Sequence, residues 1–116
     1  MNIEDLRTLC HSLKGTTEDV KWGNDLCFLI GEKMYCVTGL EGPFTASLKV
    51  RPQEFESLTE RNWIIPAPYL ARYHWVFAEN GEALSPEEWQ LYVKQSYNLV
   101  LKKLSKKARE EIANSK

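Results

Sequence analysis

Nearly every short signature of catalysis or metal binding is missing from this sequence. It has two histidines and three cysteines in 116 residues. "LKGTTED" carries one glycine and no GK[ST] ending, so it is not a phosphate-cradling loop, and HExxH, EF-hand and GxSxG patterns are all absent. Cys10, Cys27 and Cys36 form no CxxC and have no histidine at ligand spacing, which argues against a metal site and for free thiols. No long apolar run occurs, and "MNIEDLRTLC" brings in acidic charge early. Neither a signal peptide nor a membrane span is expected, and the chain reads as cytoplasmic. Strong charge of one sign is also lacking. A net charge of −1 argues against a strong non-specific hold on nucleic acid by the surface as a whole.

What is present is an ordinary globular composition, 43% hydrophobic and 27% charged, on a length that supports one domain (1–116) and one core. Rings are plentiful, with four tryptophans and five tyrosines, and they suggest a core or groove built from large side chains. The charge is unevenly spread. From Lys102 to Lys116 there are six basic and two acidic residues, so this tail is +4 and the remainder −5.

Along the chain, Asn2 caps a first helix with Asp5 at N3; Ile3, Leu6, Leu9, Cys10 and Leu13 recur at helical spacing, and Gly15 is expected to end it. Thr16 to Asn24 reads as a loop or short edge strand. "LCFLI-GE-KMYCVTG" reads as a hairpin about Gly31-Glu32, which sets Ile30 opposite Lys33 and Cys27 opposite Cys36 as a packed thiol pair. In "FTASLKV", Phe44, Ala46, Leu48 and Val50 point one way and Thr45, Ser47 and Lys49 the other. Pro52 opens a helix that buries Phe55, Leu58 and Trp63. "WVFAE-NG-EAL" is a further strand entering a turn, with room for one more strand after it. "SPEEW" is a capping box, with Ser85 as cap, Pro86 at N1 and Glu88 at N3, heading a long helix whose stripe runs from Trp89 through Ser96 and Tyr97 to Leu104. Ser105 caps a short basic coda. The order α-β-β-β-α-β-(β)-α-α is an α+β sandwich, an antiparallel sheet backed by helices on one side.

The chemistry left to weigh is rings and bases. His11 sits one residue off the first helix's apolar stripe and reads as solvated or partly packed. Glu4-Asp5 and Glu18-Asp19 are acidic pairs, the first explained by its helix terminus. Lys49 and Arg51 follow one another at the end of a strand, Lys21 adjoins Trp22, and Arg72 and His74 flank Tyr73. Such a face can hold phosphates and stack bases, or it can be a solvated surface with scattered aromatics.

Taken in order, "KWGN" (Lys21 to Asn24), "FTASLKV", "PAPYL" (Pro66 to Leu70), "HWV" (His74 to Val76) and "SY" (Ser96-Tyr97) resemble the MmcQ/YjbR family of small bacterial proteins across nearly the whole chain. The resemblance implies a one-domain sandwich similar to the frataxin-type CyaY fold. It also implies no enzyme activity, and a DNA-binding label in which hairpins act as two wings. Two departures stand out. The family often has an amide and a lysine after "PYL", where this chain has Ala71-Arg72, and the first helix has no sustained acidic ridge of the kind that binds iron in frataxins. Within "PAPYLARYHWV", Pro68 is expected to start a helical turn, with Tyr69 and Leu70 packed inward and Arg72 facing out.

The first functional expectation is a non-catalytic, monomeric module without a cofactor that contacts duplex DNA. Its phosphate contacts would come from Lys21, Trp22, Lys49, Arg51, Arg72 and His74 on a basic and aromatic sheet face, with Lys103 and Lys107 in the tail. If one helix runs through Ser105, Lys102 with Lys106 and Lys103 with Lys107 repeat at i, i+4. The alternative is a protein-interaction or small-ligand module using an aromatic groove near Trp22, Trp63 and Tyr69. Enzyme function comes third and rests only on His74 beside Arg72 and Tyr73.

Overall fold

The computed structural model describes residues 1–114. Its elements are α1 (Ile3–His11), β1 (Thr17–Lys21), β2 (Asp25–Ile30), β3 (Lys33–Gly39), β4 (Ala46–Lys49), α2 (Pro52–Thr59), β5 (Ile64–Pro66), β6 (Trp75–Ala78), α3 (Pro86–Leu101) and α4 (Lys106–Ala113). The six strands make one antiparallel sheet in the order β1-β2-β3-β4-β6-β5. One face of this sheet packs against α1, α2 and α3. Leu26, Phe28, Leu48, Val50 and Val76 from the strands meet Leu6, Leu58, Trp89, Val93 and Tyr97 from the helices in one core. This is the α+β architecture read from the sequence.

The capping signals hold. Asn2 Oδ1 accepts the Asp5 N–H at 2.8 Å, Ser85 Oγ accepts the Glu88 N–H at 3.1 Å and Ser105 Oγ accepts the Ala108 N–H at 3.1 Å. Boundaries differ in several places. α1 ends at His11, and the chain makes two further turns before Gly15. Thr17–Lys21 is a full edge strand, held to α1 because Glu18 accepts hydrogen bonds from Arg7 and pairs with His11 at 2.6 Å. The optional strand lies before β6, as β5, and not after Asn80-Gly81. Trp63 is half-exposed beyond the end of α2. A break at 102–105 separates α3 from α4, so the paired lysines of the tail do not share a continuous helix.

The hairpin register is the main correction. Gly31 and Glu32, both at left-handed φ, make the two-residue turn, and Ile30 pairs with Lys33 and Leu29 with Met34 as the turn dictates. A Cβ at Gly31 would also sit 2.5 Å from the Leu104 Cδ1 methyl, so a larger residue there would have to displace the leucine tip. Phe28 then pairs with Cys36, leaving Tyr35 without an opposite residue. This β-bulge moves every later pair by one, so Cys27 faces Val37 and not Cys36. Cys27 and Cys36 project from opposite faces of the sheet. Cys36 meets Cys10 of α1 in the core instead, and that contact together with full burial pushes its thiol pKa well up.

The bulge turns Tyr35 and its neighbour Cys36 both toward the helices. The Tyr35 ring meets the Tyr97 ring edge-on at 5.4 Å, and its hydroxyl hydrogen-bonds with Thr16 Oγ1 at 2.8 Å. Where β3 and β4 run past their last pair, Ser96 of α3 inserts its hydroxyl. It accepts the Lys49 N–H at 2.9 Å and donates to the Tyr35 carbonyl at 2.5 Å. Ser96 is fully buried.

Ser96→Ala leaves a strand N–H and a carbonyl buried without partners and is expected to lower stability by about 1–3 kcal/mol. The test is a urea titration. A midpoint lowered by that amount at constant slope supports the bridge, and a change below about 0.5 kcal/mol refutes it.

A second prediction concerns acid. Glu88 accepts from both Arg61 terminal nitrogens, at 2.7 and 3.0 Å, and from the Ser85 N–H at 2.9 Å. Chiefly through Arg61, then the Ser85 N–H, its carboxyl is held down from the ordinary 4.5 to about 2. Because the folded value is the lower, the stabilisation is complete above about pH 4.5 and is lost as pH falls toward 2. Unfolding midpoints measured across this range are expected to fall steeply in the native chain. In Glu88→Gln they are expected to be lower at neutral pH and flatter in acid, and parallel acid limbs would refute the assignment.

Candidate functional site

The second face of the sheet carries no helix. Cys27, Val37, Ser47, Phe77 and Ile65 lie in register across it, one from each of β2, β3, β4, β6 and β5. The segment Ala67–Leu70 folds over part of this face, tied by the Ala67 N–H to the Trp75 carbonyl at 3.0 Å. Between that segment and the β1–β2 turn lies a groove of about 610 Å³, lined by Trp22, Asp25, Met34, Val37, Tyr69 and Phe77. Thr45 and Ser47 add hydroxyls to its floor, as their outward positions on β4 require. Among the described residues, Asp25 is the one charged side chain in the lining.

Both rim aromatics occupy turn positions that ordinarily take glycine or asparagine. Trp22 begins the β1–β2 turn at φ 54°, followed by Gly23 at φ 83°. Tyr69 sits at φ 66° behind Pro68, in a turn closed by the Leu70 N–H to the Ala67 carbonyl at 3.2 Å. Proline at the second position and left-handed φ at the third is a type II pattern. Left-handed backbone costs a side-chain-bearing residue about 1–2 kcal/mol. Neither ring recovers that cost by burial, since Trp22 is 71% and Tyr69 98% exposed. The inward Tyr69 expected from the sequence is therefore corrected. The type II turn swings its side chain away from the core, while Leu70 stays half-buried.

A second concave surface lies on the helical side. Arg51, Lys94, Lys102 and Arg109 surround Leu91 and Leu101 in a shallow cleft of about 650 Å³ between the outer side of α3, α4 and the start of α2. Among the described residues no carboxylate lines it. Arg51 is partly neutralised by Glu54, whose oxygens accept from Arg51 Nε and Nη2, both at 3.1 Å. For Glu54 burial acts upward, but the Arg51 and Gln95 hydrogen bonds outweigh it and hold the carboxyl below its usual range. Gln95 also lines this cleft, and its Oε1 is buried without a hydrogen-bond partner among the described residues.

The eight residues singled out in the sequence do not share one face. Lys49 and Lys103 meet at the end of the sheet; burial first, and then the neighbouring Lys103 charge, press the Lys49 pKa down. Lys49 Nζ donates to the Tyr73 carbonyl at 3.1 Å. Arg51 belongs to the basic cleft, Lys21 lies across the strand ladder from Asp25, and Trp22 is on the groove rim. Arg72 is exposed on the 3-10 turn Ala71–Tyr73, its guanidinium 4.9 Å from the Tyr73 ring centre. His74 packs edge-on against Phe55 at 5.7 Å, and Lys107 is exposed on α4. Of the aromatic trio, Trp22 and Tyr69 share the groove and Trp63 lies outside its lining. Lys94, Lys102 and Arg109 had no local signal as a set, because they are separated in sequence and meet only through the turn at 102–105. No helix among the described residues is long and apolar enough to cross a membrane, and no group of three or more His, Cys, Asp or Glu side chains is placed to hold a metal.

The strain at Tyr69 can be checked directly. Asparagine tolerates left-handed backbone and nothing packs on the tyrosine ring, so Tyr69→Asn is expected to stabilise the fold by about 0.5–1 kcal/mol. A lower melting temperature in that variant would contradict the conformational assignment.

Comparisons with known proteins agree with the architecture. A Deinococcus radiodurans protein, solved by crystallography and carrying the domain DUF419, superimposes with a TM-score of 0.87 at 30% identity, over 97% of this chain and 88% of that one. A Pseudomonas syringae protein of known structure superimposes with a TM-score of 0.69 at 21% identity, over 85% of this chain and 98% of that one, which speaks to the fold alone. No curated protein matches the chain. The family model YjbR matches residues 11–99, from the end of α1 almost to the end of α3. With the motifs, the strand order and this match in agreement, the chain belongs to the YjbR family.

Proposed function

We propose that the protein is a non-catalytic, monomeric nucleic-acid-binding module that grips the phosphate backbone of duplex DNA in the cleft between α3 and α4. The observation that carries this reading is the cleft itself, with four cationic side chains around an apolar floor and no acidic residue in the lining among those described. Lysine and arginine arranged in this way hold phosphates without reading bases. Lys49 and Lys103 continue the positive surface at the adjoining end of the sheet, where two ammonium groups are set together. An anion between them relieves their repulsion. The helix-free face does not serve as the phosphate surface in this reading, because its middle is apolar and its one lining charge is negative.

The test is a fluorescence-anisotropy titration with labelled duplex DNA at several salt concentrations. Four phosphate contacts give a slope of about −3.6 in log K against log salt, or about a hundredfold loss of affinity between 50 and 200 mM. Lys102→Glu with Arg109→Glu is expected to weaken binding at least about tenfold at low salt. No binding at 50 mM, a salt-independent affinity, or full affinity in the double variant would each refute the proposal.

A further inference from the structure

We propose that the groove on the helix-free face of the sheet binds a small organic cation, an apolar or aromatic body carrying a protonated or quaternary amine. This site is separate from the basic cleft, and the inference does not rest on the nucleic-acid reading.

Three observations converge on it. The first is the placement of the rim rings. Among the described residues Trp22, Glu32, Trp63, Tyr69 and His74 take left-handed φ without being glycine, and two of these, the rings of Trp22 and Tyr69, border the same groove from separate turns. Nothing in the fold repays Tyr69, which is 98% exposed. Strained backbone clusters at ligand clamps, where the rest of the fold bears its cost and the ring is held in place for a ligand. The two rings face a floor of Met34, Val37 and Phe77, which suits a flat or compact apolar body.

The second observation is the charge. Asp25 is the one ionisable side chain in the lining among the described residues, and no ion pair or hydrogen bond reaches its carboxylate there. Lys21 stands opposite it on the ladder, yet its ammonium makes no ion pair with it within 4.0 Å among those residues. A neutral ligand filling the groove would strip water from that carboxylate without replacing it, and an anionic one would add repulsion. A cation satisfies it. Rings beside a lone carboxylate attract ammonium groups through both the ring faces and the charge.

The third is space beside that charge. The cross-strand partner of Asp25 is Gly39, which also lines the groove. Gly39 carries no side chain on the groove side, so nothing from that position occupies the space beside the carboxylate.

The experiment compares three probes of one shape: 2-phenylethylammonium, 2-phenylethanol and phenylacetate. Each is titrated into the full chain by isothermal calorimetry, with tryptophan fluorescence recorded in parallel. The ammonium is expected to bind about tenfold tighter than the alcohol, and phenylacetate is expected not to bind. Asp25→Asn is expected to cut the ammonium preference sharply, leaving only the share that the ring faces supply, while the fold stays intact. Tyr69→Asn is expected to weaken both while raising the melting temperature, which separates a binding role from a structural one. Trp22→Asn should behave in the same way. Equal affinity for ammonium and alcohol in the native chain would overturn the proposal. So would an ammonium preference that Asp25→Asn leaves undiminished, or no heat from any probe at 10 mM, about the weak end of fragment binding. Sedimentation at rising protein concentration covers the remaining occupant. A dimer that Tyr69→Asn dissolves would mean a second copy of the chain fills the groove, and would replace the cation.

Discussion

One hydroxyl decides how the helical layer sits on the sheet. At the edge of the β3–β4 ladder the Tyr35 carbonyl and the Lys49 N–H are joined through Ser96 Oγ, so a helix side chain completes a strand pairing. An α-helix advances about 100° per residue, so one residue pinned in the sheet fixes the rotation of all the others. With Ser96 inward, Trp89, Val93, Tyr97 and Val100 are in the core. Leu91, Lys94 and Asn98 are then forced outward, and they form one wall of the basic cleft. The buried stripe and the cationic surface are two sides of the same rotation.

The Tyr35 bulge does comparable work across the sheet. In a regular strand, neighbours take opposite faces and residues three apart do too. Here Tyr35 and Cys36 are adjacent and both inside, while Met34 and Val37 are three apart and both line the groove. One extra residue therefore gives the core two side chains in succession and gives the opposite face a continuous apolar floor. Without it, either the Tyr35–Tyr97 contact or the groove floor would be lost. Burial pushes the Tyr35 phenol well up, so the ring stays neutral while its hydroxyl links Thr16 and the Cys10 carbonyl. The bulge thus ties β3 to α1 as well as to α3.

Features governed by local chemistry were legible in the sequence. The three side-chain caps, the Gly31-Glu32 turn and the alternation of Ala46, Leu48 and Val50 each depend on residues within a few positions, and each is where the sequence placed it. The family motifs carried the architecture further than periodicity could. Features governed by non-local compensation were not legible. A bulge is invisible in a run such as "KMYCVTG", where apolar residues occupy both faces, so the Cys27–Cys36 pairing failed although the turn and its first two pairs were correctly read. Tyr69 failed for the converse reason. Hydrophobic character argued for burial, whereas Pro68 and the turn hydrogen bond set a backbone that points the ring to solvent. The candidate site was half legible: Lys49 and Lys103 do meet, and Trp22 and Tyr69 do share a groove. Strand alternation alone does not separate them: Lys49 shares its side of β4 with Ser47, and Lys103 reaches it only because the turn after α3 comes to that end of the sheet.

That separation also bears on the near-neutral total charge. A net charge of −1 is an average over a tail of +4 and a remainder of −5, and averages say little about an interface screened beyond about 10 Å. The cleft draws its cations from the start of α2, the outer side of α3, the inter-helix turn and α4, so tertiary structure concentrates what the sequence disperses. On the far side of the sheet the only lining charge among the described residues is one carboxylate between aromatic walls. The helical layer and the sheet lie between the two, each surface sees mainly its own charges, and opposite ligand preferences can coexist on one small domain. The two proposed ligands divide along this line, a polyanion on one side and an organic cation on the other. The domain-wide charge governs neither.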